Sequence, residues 1–208
     1  MKKLIILPEY KTDKLQYANI YEPLFAEIYD DHIKLLELGV SEKGSLYMWR
    51  DYFVNGEIYG VDVANVGCGD GVSIFQCDQS DANCLEKTLK PHSPFDIIID
   101  DASHIGRMSK ISFDYLFFNL LKPGGLYIIE DWGTGYWRKW DDGEYITKPS
   151  VVGKRIMSHD YGMVGFLKSL IDYIGIQDAT CEHGVPPQQG SSIKEIRIMK
   201  SIAIIYKQ

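Results

Sequence analysis

The chain has 208 residues, of which 45% are hydrophobic and 25% are charged, close to the average composition of a globular domain. Asp and Glu outnumber Lys and Arg by 29 to 22, which gives a formal net charge of −7. Surfaces that follow nucleic-acid phosphates concentrate positive charge, so this balance argues against a nucleic-acid partner.

The opening apolar run stops at Pro8, and no run approaches the roughly 20 apolar residues needed to cross a bilayer. We therefore expect no membrane insertion and a cytoplasmic protein. The four cysteines form no CxxC pair, which favours free structural thiols over a disulfide or a metal framework.

Apolar periodicity predicts strands and helices that alternate along most of the chain. In chain order we expect a helix at 18–31, a strand at 33–40, a helix at 44–53, strands at 57–63 and 72–77, a helix at 81–90, a strand at 95–100, a helix at 106–121, a strand at 126–131, a helix at 150–173 and strands at 176–182 and 192–206.

Such alternation, with strands that are apolar on both faces, is typical of an open parallel sheet covered on both sides. The last two strands have no helix between them and predict an antiparallel hairpin. The expected fold class is α/β, a Rossmann-like, doubly wound, mostly parallel seven-stranded sheet with an antiparallel C-terminal edge hairpin. We interpret residues 1–208 as one domain, with an N-terminal helical extension over 1–31 and an aromatic lid loop over 132–148.

The ends of the first two strands suit a nucleoside ligand, because ligands of such sheets bind beyond the carboxyl ends of the strands. Glu37 and Gly39 end the first strand, and Gly44 and Ser45 begin the next helix, where the glycine allows close approach of a ligand. The G-x-G-x-x-G dinucleotide fingerprint is missing, and an acid before the first glycine suits a ligand with an amine. Asp62 is placed to accept hydrogen bonds from both ribose hydroxyls, as in NAD, FAD and S-adenosylmethionine (SAM) sites. An ordinary strand–turn–helix connection is the alternative for the first motif.

Asp78 and Gln79 end the third strand. A carboxylate next to a carboxamide could bind the amino group and ring nitrogens of adenine. Ser80 and Asp81 equally suit the N-terminal cap of the next helix, and the two interpretations are compatible.

The fourth strand ends in Asp100 and Asp101, with His104 just beyond, and the fifth ends in Glu130 and Asp131. If these strands are parallel neighbours, the carboxylates converge and raise one another's pKa unless a cation binds them. Ligation by carboxylate oxygens without thiolates favours Mg²⁺, with Mn²⁺ or Ca²⁺ as alternatives. His104 is placed to take a proton from an acceptor hydroxyl. The alternative is a set of helix caps and surface acids.

Several motifs together carry a family resemblance. They are LLELGVSEKGSLYMWRDYF, IYGVD, DQSD, FDIIIDDASH, LKPGGLYIIEDW and GMVGFLKSLID. Over about residues 18–175 the chain resembles the class I SAM-dependent methyltransferases. Within them it resembles the metal-dependent sugar O-methyltransferases of the mycinamicin and elloramycin tailoring type, with a more distant cephalosporin-tailoring relative.

The resemblance implies roles for the strand-end residues. The residues implied for SAM are Glu37 and Gly39 at the methionyl end, Asp62 at the ribose, Asp78 and Gln79 at the adenine, and Asp100, which serves either SAM or the local structure. The residues implied for Mg²⁺ are Asp101, Glu130 and Asp131. The resemblance also implies that His104 is the general base. Family members usually have more glycine in the first loop, where this chain has Ser41 and Lys43.

The expected activity is methyl transfer from SAM to a hydroxyl of a sugar or glycosylated metabolite, that is a glycan, a sugar nucleotide or a natural product. The alternatives are a phenolic or other small-molecule acceptor, or a non-catalytic SAM-binding subunit. The lid loop and His159 are candidates for contacts with the acceptor. The edge hairpin and the lid are surfaces through which a homo-oligomer could form.

Overall fold

The computed structural model describes residues 3–143, 160–181 and 192–208. Its strands are β1 Lys34–Leu38, β2 Glu57–Asp62, β3 Ser73–Gln76, β4 Phe95–Asp100, β5 Leu121–Glu130, β6 Ile193–Met199 and β7 Ile202–Lys207. Its α-helices are α1 Ala18–Phe25, α2 Gly44–Tyr52, α3 Ala82–Leu89, α4 Gly106–Asn119 and α5 Gly162–Cys181. Short 3₁₀ helices cover Pro8–Tyr10, Lys14–Tyr17, Lys90–His92 and Trp132–Tyr136.

The seven strands form one sheet in the order β3-β2-β1-β4-β5-β7-β6. The five strands from β3 to β5 are parallel neighbours, and β7 pairs antiparallel with both β5 and β6. The predicted fold class is therefore confirmed. Strand order reverses between β1 and β4, and the crevice beyond their carboxyl ends is where ligands of doubly wound sheets bind.

The strands are apolar on both faces because the sheet has a hydrophobic core on each side. Leu36 and Ile98 belong to one core, with residues of α3, α4 and α5. The residues that directly precede them, Leu35 and Ile97, belong to the other core, with residues of α1 and α2. Alternate side chains of a strand point to opposite faces, so each strand contributes to both cores.

The C-terminal hairpin is present, but its two strands are not the predicted ones. The strand expected at 176–182 is wrong, since α5 continues through Cys181. Short apolar runs do not separate strand from buried helix by periodicity. The single strand expected at 192–206 is two strands, β6 and β7, joined at Lys200 and Ser201, where Ser201 takes a left-handed φ of 63° without any glycine or proline to mark the turn.

Three smaller expectations also differ from the structure. The leading helix ends at Phe25, earlier than expected, and β5 begins at Leu121, so that Lys122-Pro123-Gly124-Gly125 lies inside the strand. The predicted helix at 150–173 begins at Gly162, and its residues 150–159 lie outside the described ranges.

The expectation of free thiols is wrong for one pair of cysteines, because Cys77 and Cys84 form a disulfide. Asp81 caps α3 by accepting hydrogen bonds from the backbone N–H groups of Asn83 and Cys84. The turn that this cap fixes brings the first turn of α3 back to the end of β3, with 6.0 Å between the two cysteine Cα atoms. Cys68 is free and exposed. No helix within the described ranges is long and apolar enough to span a membrane.

Candidate active site

A cavity of about 490 Å³ lies beyond the carboxyl ends of the five parallel strands β1 to β5. The predicted site residues that line it are Gly39, Gly44, Ser45, Asp62, Asp78, Gln79, Asp101, His104 and Asp131. Three further predicted residues, Glu37, Asp100 and Glu130, are at most 1% exposed and lie behind the cavity wall. The fold thus gathers the predicted residues from the ends of all five parallel strands at one sheet edge.

The loop after β1 is fixed by the carboxylate of Asp62. One oxygen accepts hydrogen bonds from the backbone N–H groups of Val40 at 2.8 Å and Ser41 at 3.1 Å. The other oxygen accepts from the N–H of Ala64 at 2.8 Å. Asp62 therefore shapes this wall of the cavity, and a ribose would share a carboxylate that already holds the loop.

The first loop keeps a glycine-like backbone even though it has few glycines. Gly39 has a φ of 90°, and a Cβ there would collide with the backbone of Asp101. Ser41 and Lys43, where the family resemblance implies more glycine, also take positive φ values of 46° and 70°. The backbone of this loop therefore has a conformation that glycine favours, although these two residues carry side chains.

Replacing Asp62 with alanine is expected to weaken SAM or S-adenosylhomocysteine (SAH) binding by roughly tenfold or more, since several hydrogen bonds to a charged acceptor are lost together. Isothermal titration with SAH measures this change. Binding of Mn²⁺ to the same variant is expected to stay within about twofold of the native value, because the hydrogen bonds of Asp62 are to backbone N–H groups of residues 40, 41 and 64 and not to the predicted metal ligands. Unchanged SAH affinity would remove Asp62 from the SAM site.

Gln79 links two parts of the site. Its amide nitrogen donates to the buried Asp100 at 3.0 Å, and its amide oxygen accepts from the backbone N–H of Ser103 at 2.9 Å. Asp78 also binds locally, since one of its oxygens accepts from both the N–H and the hydroxyl of Ser80. Their roles beside adenine stay predictions, but Gln79 and Asp100 clearly support the turn that carries His104.

Asp101, His104 and Asp131 form the cluster best placed to hold a cation. One atom from each lies within 4.8 Å of the others. His104 Nε2 is 3.7 Å from Asp101 Oδ1 and 4.0 Å from Asp131 Oδ2. His104 and Asp131 have left-handed φ values of 50° and 51°, conformations that non-glycine residues adopt mainly at turns and functional sites.

Glu130, the remaining predicted ligand, is buried next to this cluster. Its Oε1 accepts from Tyr21 and is 2.9 Å from the ammonium of Lys14. Its Oε2 has no hydrogen-bond partner among the residues that the structure describes. Burial raises the pKa of Glu130 to about 8 and that of Asp101 above its usual value. Asp101, His104 and Asp131 therefore fit Mg²⁺. Glu130 is not among the three residues whose ligand atoms lie within 4.8 Å of one another, but its buried carboxylate keeps one oxygen without a partner next to them.

The N-terminal residues at this site were not found by sequence reasoning. Lys14 contacts Asp101 and Glu130, Tyr17 donates to Asp131, and Tyr21 donates to Glu130. The apolar spacing around Tyr21 favours core packing, with a wall of the SAM pocket as the alternative, and Tyr21 is fully buried in the core that includes α1 and α2. The spacing of 14, 17 and 21 places these polar tips on one helical face, and that pattern is the signal that could have revealed them.

The described part of the predicted lid loop, residues 132–143, packs against the site. The Thr134 hydroxyl and the Trp140 indole N–H each donate to the backbone carbonyl of His104 at 3.1 Å. Asp142 accepts from the N–H of Gly106 at 2.6 Å, at the start of α4. These contacts fix the backbone of His104. Residues 144–148 and His159 lie outside the described ranges, so their contact with an acceptor stays a prediction.

Curated relatives of the chain are sugar O-methyltransferases. It is 32% identical over 213 residues to the mycinamicin VI 2''-O-methyltransferase of Micromonospora griseorubida, covering 95% of this chain and 50% of the relative. It is 36% identical over 183 residues to the 8-demethyl-8-alpha-L-rhamnosyl tetracenomycin-C 2'-O-methyltransferase of Streptomyces olivaceus, covering 83% of this chain and 44% of the relative. This chain spans about half the length of the curated relatives it matches.

A solved structure confirms the similarity of fold. The MycE methyltransferase from the mycinamycin biosynthetic pathway, in complex with Mg and SAH, superimposes with a TM-score of 0.78 at 31% identity, over 96% of this chain and 52% of that one. No protein-family model matches the chain. Identity of 31–36% over most of this chain, together with the shared fold, shows that the chain is similar to sugar O-methyltransferases over about half of their length.

Proposed function

We propose that this chain transfers a methyl group from SAM to a hydroxyl of a sugar or glycosylated metabolite in a Mg²⁺-dependent reaction. The observation that carries the proposal is one cavity lined both by Asp62 and the first loop and by Asp101, His104 and Asp131. The predicted nucleoside site and a cluster of acids with a histidine thus share a single cavity. The similarity to enzymes that methylate sugar hydroxyls supports the same activity.

Methyl transfer is an in-line displacement in which the bond from carbon to sulfur breaks, the bond from carbon to the acceptor oxygen forms, and SAH leaves. The protein's main task is to hold the hydroxyl against the methyl group. His104 Nε2 takes the hydroxyl proton, since an alcohol is a poor nucleophile near neutral pH. Mg²⁺, when bound, supplies positive charge next to the oxygen on which negative charge develops.

Which residues would hold Mg²⁺ follows from the donor set. The predicted ligands are Asp101, Glu130 and Asp131, which leave His104 free to act as the base. The cluster of Asp101, His104 and Asp131 is the other arrangement. The two exclude each other at His104 Nε2, because a nitrogen that binds a cation cannot also accept a proton.

The proposal extends to the setting of the reaction. The acceptor is a small molecule or a carbohydrate, the compartment is the cytoplasm, and the net charge of −7 supports the absence of a nucleic-acid partner. A phenolic acceptor could use the same groups. Parallel assays with sugar nucleotides, glycosylated metabolites and catechols separate the two classes, and turnover confined to catechols would contradict the proposal.

The first test is thermal stability with SAH, with SAH plus Mg²⁺, and then with chelator. SAH at about a hundred times its Kd is expected to add roughly 2.7 kcal/mol, a rise in Tm of roughly 5–10 °C for a chain of this size. Mg²⁺ is expected to raise the Tm further, and the chelator is expected to reverse this second rise. NAD serves as the control and should cause no shift, because the dinucleotide fingerprint is missing. Absence of a shift with SAH would contradict a SAM-binding function.

A further inference from the structure

Lys14 places a fixed positive charge inside the acid cluster. Its side chain is fully buried at 0% exposure, and its ammonium lies 2.9 Å from Glu130 and 3.5 Å from Glu37. The same ammonium donates a hydrogen bond to Asp101 Oδ2. Lysine is rarely buried unless it is paired, and here the partners are three carboxylates at a single point.

The segment that carries Lys14 reaches every carboxylate predicted to bind the cation. One turn further along, the Tyr17 hydroxyl donates to Asp131 Oδ1, and the Tyr21 hydroxyl donates to Glu130 Oε1. Tyr10, at the start of this segment, donates to Asp51 at 2.6 Å, and its carbonyl packs so closely on Gly44 that a Cβ there would collide. The segment is therefore anchored to α2 and forms part of the site.

The contacts divide the oxygens of each carboxylate into two sets. Lys14, Tyr17 and Tyr21 take Asp101 Oδ2, Asp131 Oδ1 and Glu130 Oε1. The second oxygen of each carboxylate makes none of these hydrogen bonds. Asp101 Oδ1 and Asp131 Oδ2 are the atoms nearest His104 Nε2, and Glu130 Oε2 has no hydrogen-bond partner among the described residues. Each acid thus keeps one oxygen available.

We propose that Lys14 is the central positioning residue of the cation site, assisted by Tyr17 and Tyr21. It holds one oxygen of Asp101 and of Glu130 so that the other is presented to the cation, and its positive charge limits the cluster to a single divalent ion. This inference rests on the proposed function, since it assumes that the cluster binds a divalent cation. Hydrogen bonds to ligating carboxylates commonly fix their orientation and tune affinity.

The test replaces Lys14 with methionine and measures Mn²⁺ binding, without SAM or acceptor, from the electron paramagnetic resonance signal of free Mn²⁺. Removing a positive charge that contacts two of the predicted ligands, Asp101 and Glu130, is expected to tighten Mn²⁺ binding by roughly tenfold or more, or to add a second Mn²⁺. Methyl transfer is expected to fall at the same time, because the ligands lose their orientation. A purely structural lysine would instead give weaker Mn²⁺ binding or none.

A second pair of variants guards against a folding defect. The double variant Lys14→Met/Glu37→Gln removes one positive and one negative charge, so its Mn²⁺ affinity is expected within about threefold of native. Tyr17→Phe removes only a neutral donor, and its Mn²⁺ binding is expected to weaken by roughly tenfold, opposite in sign to Lys14→Met. Lys90→Met, on an exposed lysine paired with Glu86, is the control and should bind Mn²⁺ as the native chain does.

The outcomes separate this inference from the proposed function. Native protein that binds one Mn²⁺ and SAH but methylates no sugar would contradict the function and leave the role of Lys14 standing. Folded Lys14→Met with native or weaker Mn²⁺ affinity and a single site would overturn the role of Lys14 alone. If Lys14→Met does not fold, native Mn²⁺ affinity in Tyr17→Phe would overturn the proposed positioning role of this segment. Native protein that binds no Mn²⁺ would overturn both.

Discussion

Replacing His104 with alanine is expected to lower turnover by roughly 10²–10⁴-fold while SAH affinity stays within about twofold of native. His104 Nε2 lies 3.7 Å from Asp101 Oδ1 and 4.0 Å from Asp131 Oδ2, whereas Asp62 binds the loop after β1. Loss of the base removes the proton acceptor and leaves the nucleoside pocket intact. Single-turnover assays and SAH titration measure the two quantities separately.

The backbone of His104 requires a second variant. Alanine is disfavoured at a left-handed φ of 50°, whereas asparagine tolerates it, so His104→Asn keeps the turn and removes only the imidazole. The two variants are expected to lose turnover to a similar extent. His32→Ala, on a histidine whose side chain is 71% exposed, is the control. Native turnover in His104→Asn would exclude His104 from the mechanism.

The same variants distinguish the two arrangements of the cation site. If Asp101, Glu130 and Asp131 hold the cation, Mn²⁺ affinity in His104→Asn is expected to stay near native. If His104 is itself a ligand, Mn²⁺ affinity is expected to fall with turnover, by roughly tenfold or more. The measurement needs neither SAM nor acceptor, so it assigns the role of His104 directly.

The parallel part of the sheet could be predicted because it is encoded locally. Buried strands such as Phe95–Asp100 read as continuous apolar runs, and both hydrophobic cores need those side chains. The C-terminal hairpin could not be assigned correctly. Its turn uses Ser201 at a positive φ, with no glycine to mark it, so the alternation of β6 runs into that of β7 without a break.

Site residues at the carboxyl ends of strands could be predicted from the sequence, whereas those supplied by the distant N-terminal segment could not. Asp62, Asp101 and Asp131 each follow the carboxyl end of a parallel strand or end it, so the fold alone brings them to one edge. Lys14 contacts Asp101 across 87 positions of sequence. The spacing of residues 14, 17 and 21 could have grouped Lys14 with the two tyrosines, but it does not indicate that Lys14 is buried, because burial depends on tertiary packing against acids that come later in the chain.

Replacing Asp131 with asparagine is expected to raise the Mg²⁺ concentration required for half-maximal activity by roughly 100-fold, since loss of even an outer contact to a metal ligand costs roughly 10–100-fold. Asparagine has nearly the same shape, tolerates the left-handed φ of 51° and can still accept from Tyr17, so charge is the main change.

Excess Mg²⁺ is expected to restore activity partly in Asp131→Asn, whereas Asp172→Asn, at an exposed position on α5, should show native Mg²⁺ dependence. Mass action explains the rescue, because a weakened site still fills when the cation is abundant. SAH affinity should stay native, in contrast to Asp62→Ala, which is expected to lose SAH and keep the cation. Titrations of activity against Mg²⁺ measure the shift, and native activity that persists in chelator would contradict a role for any divalent cation.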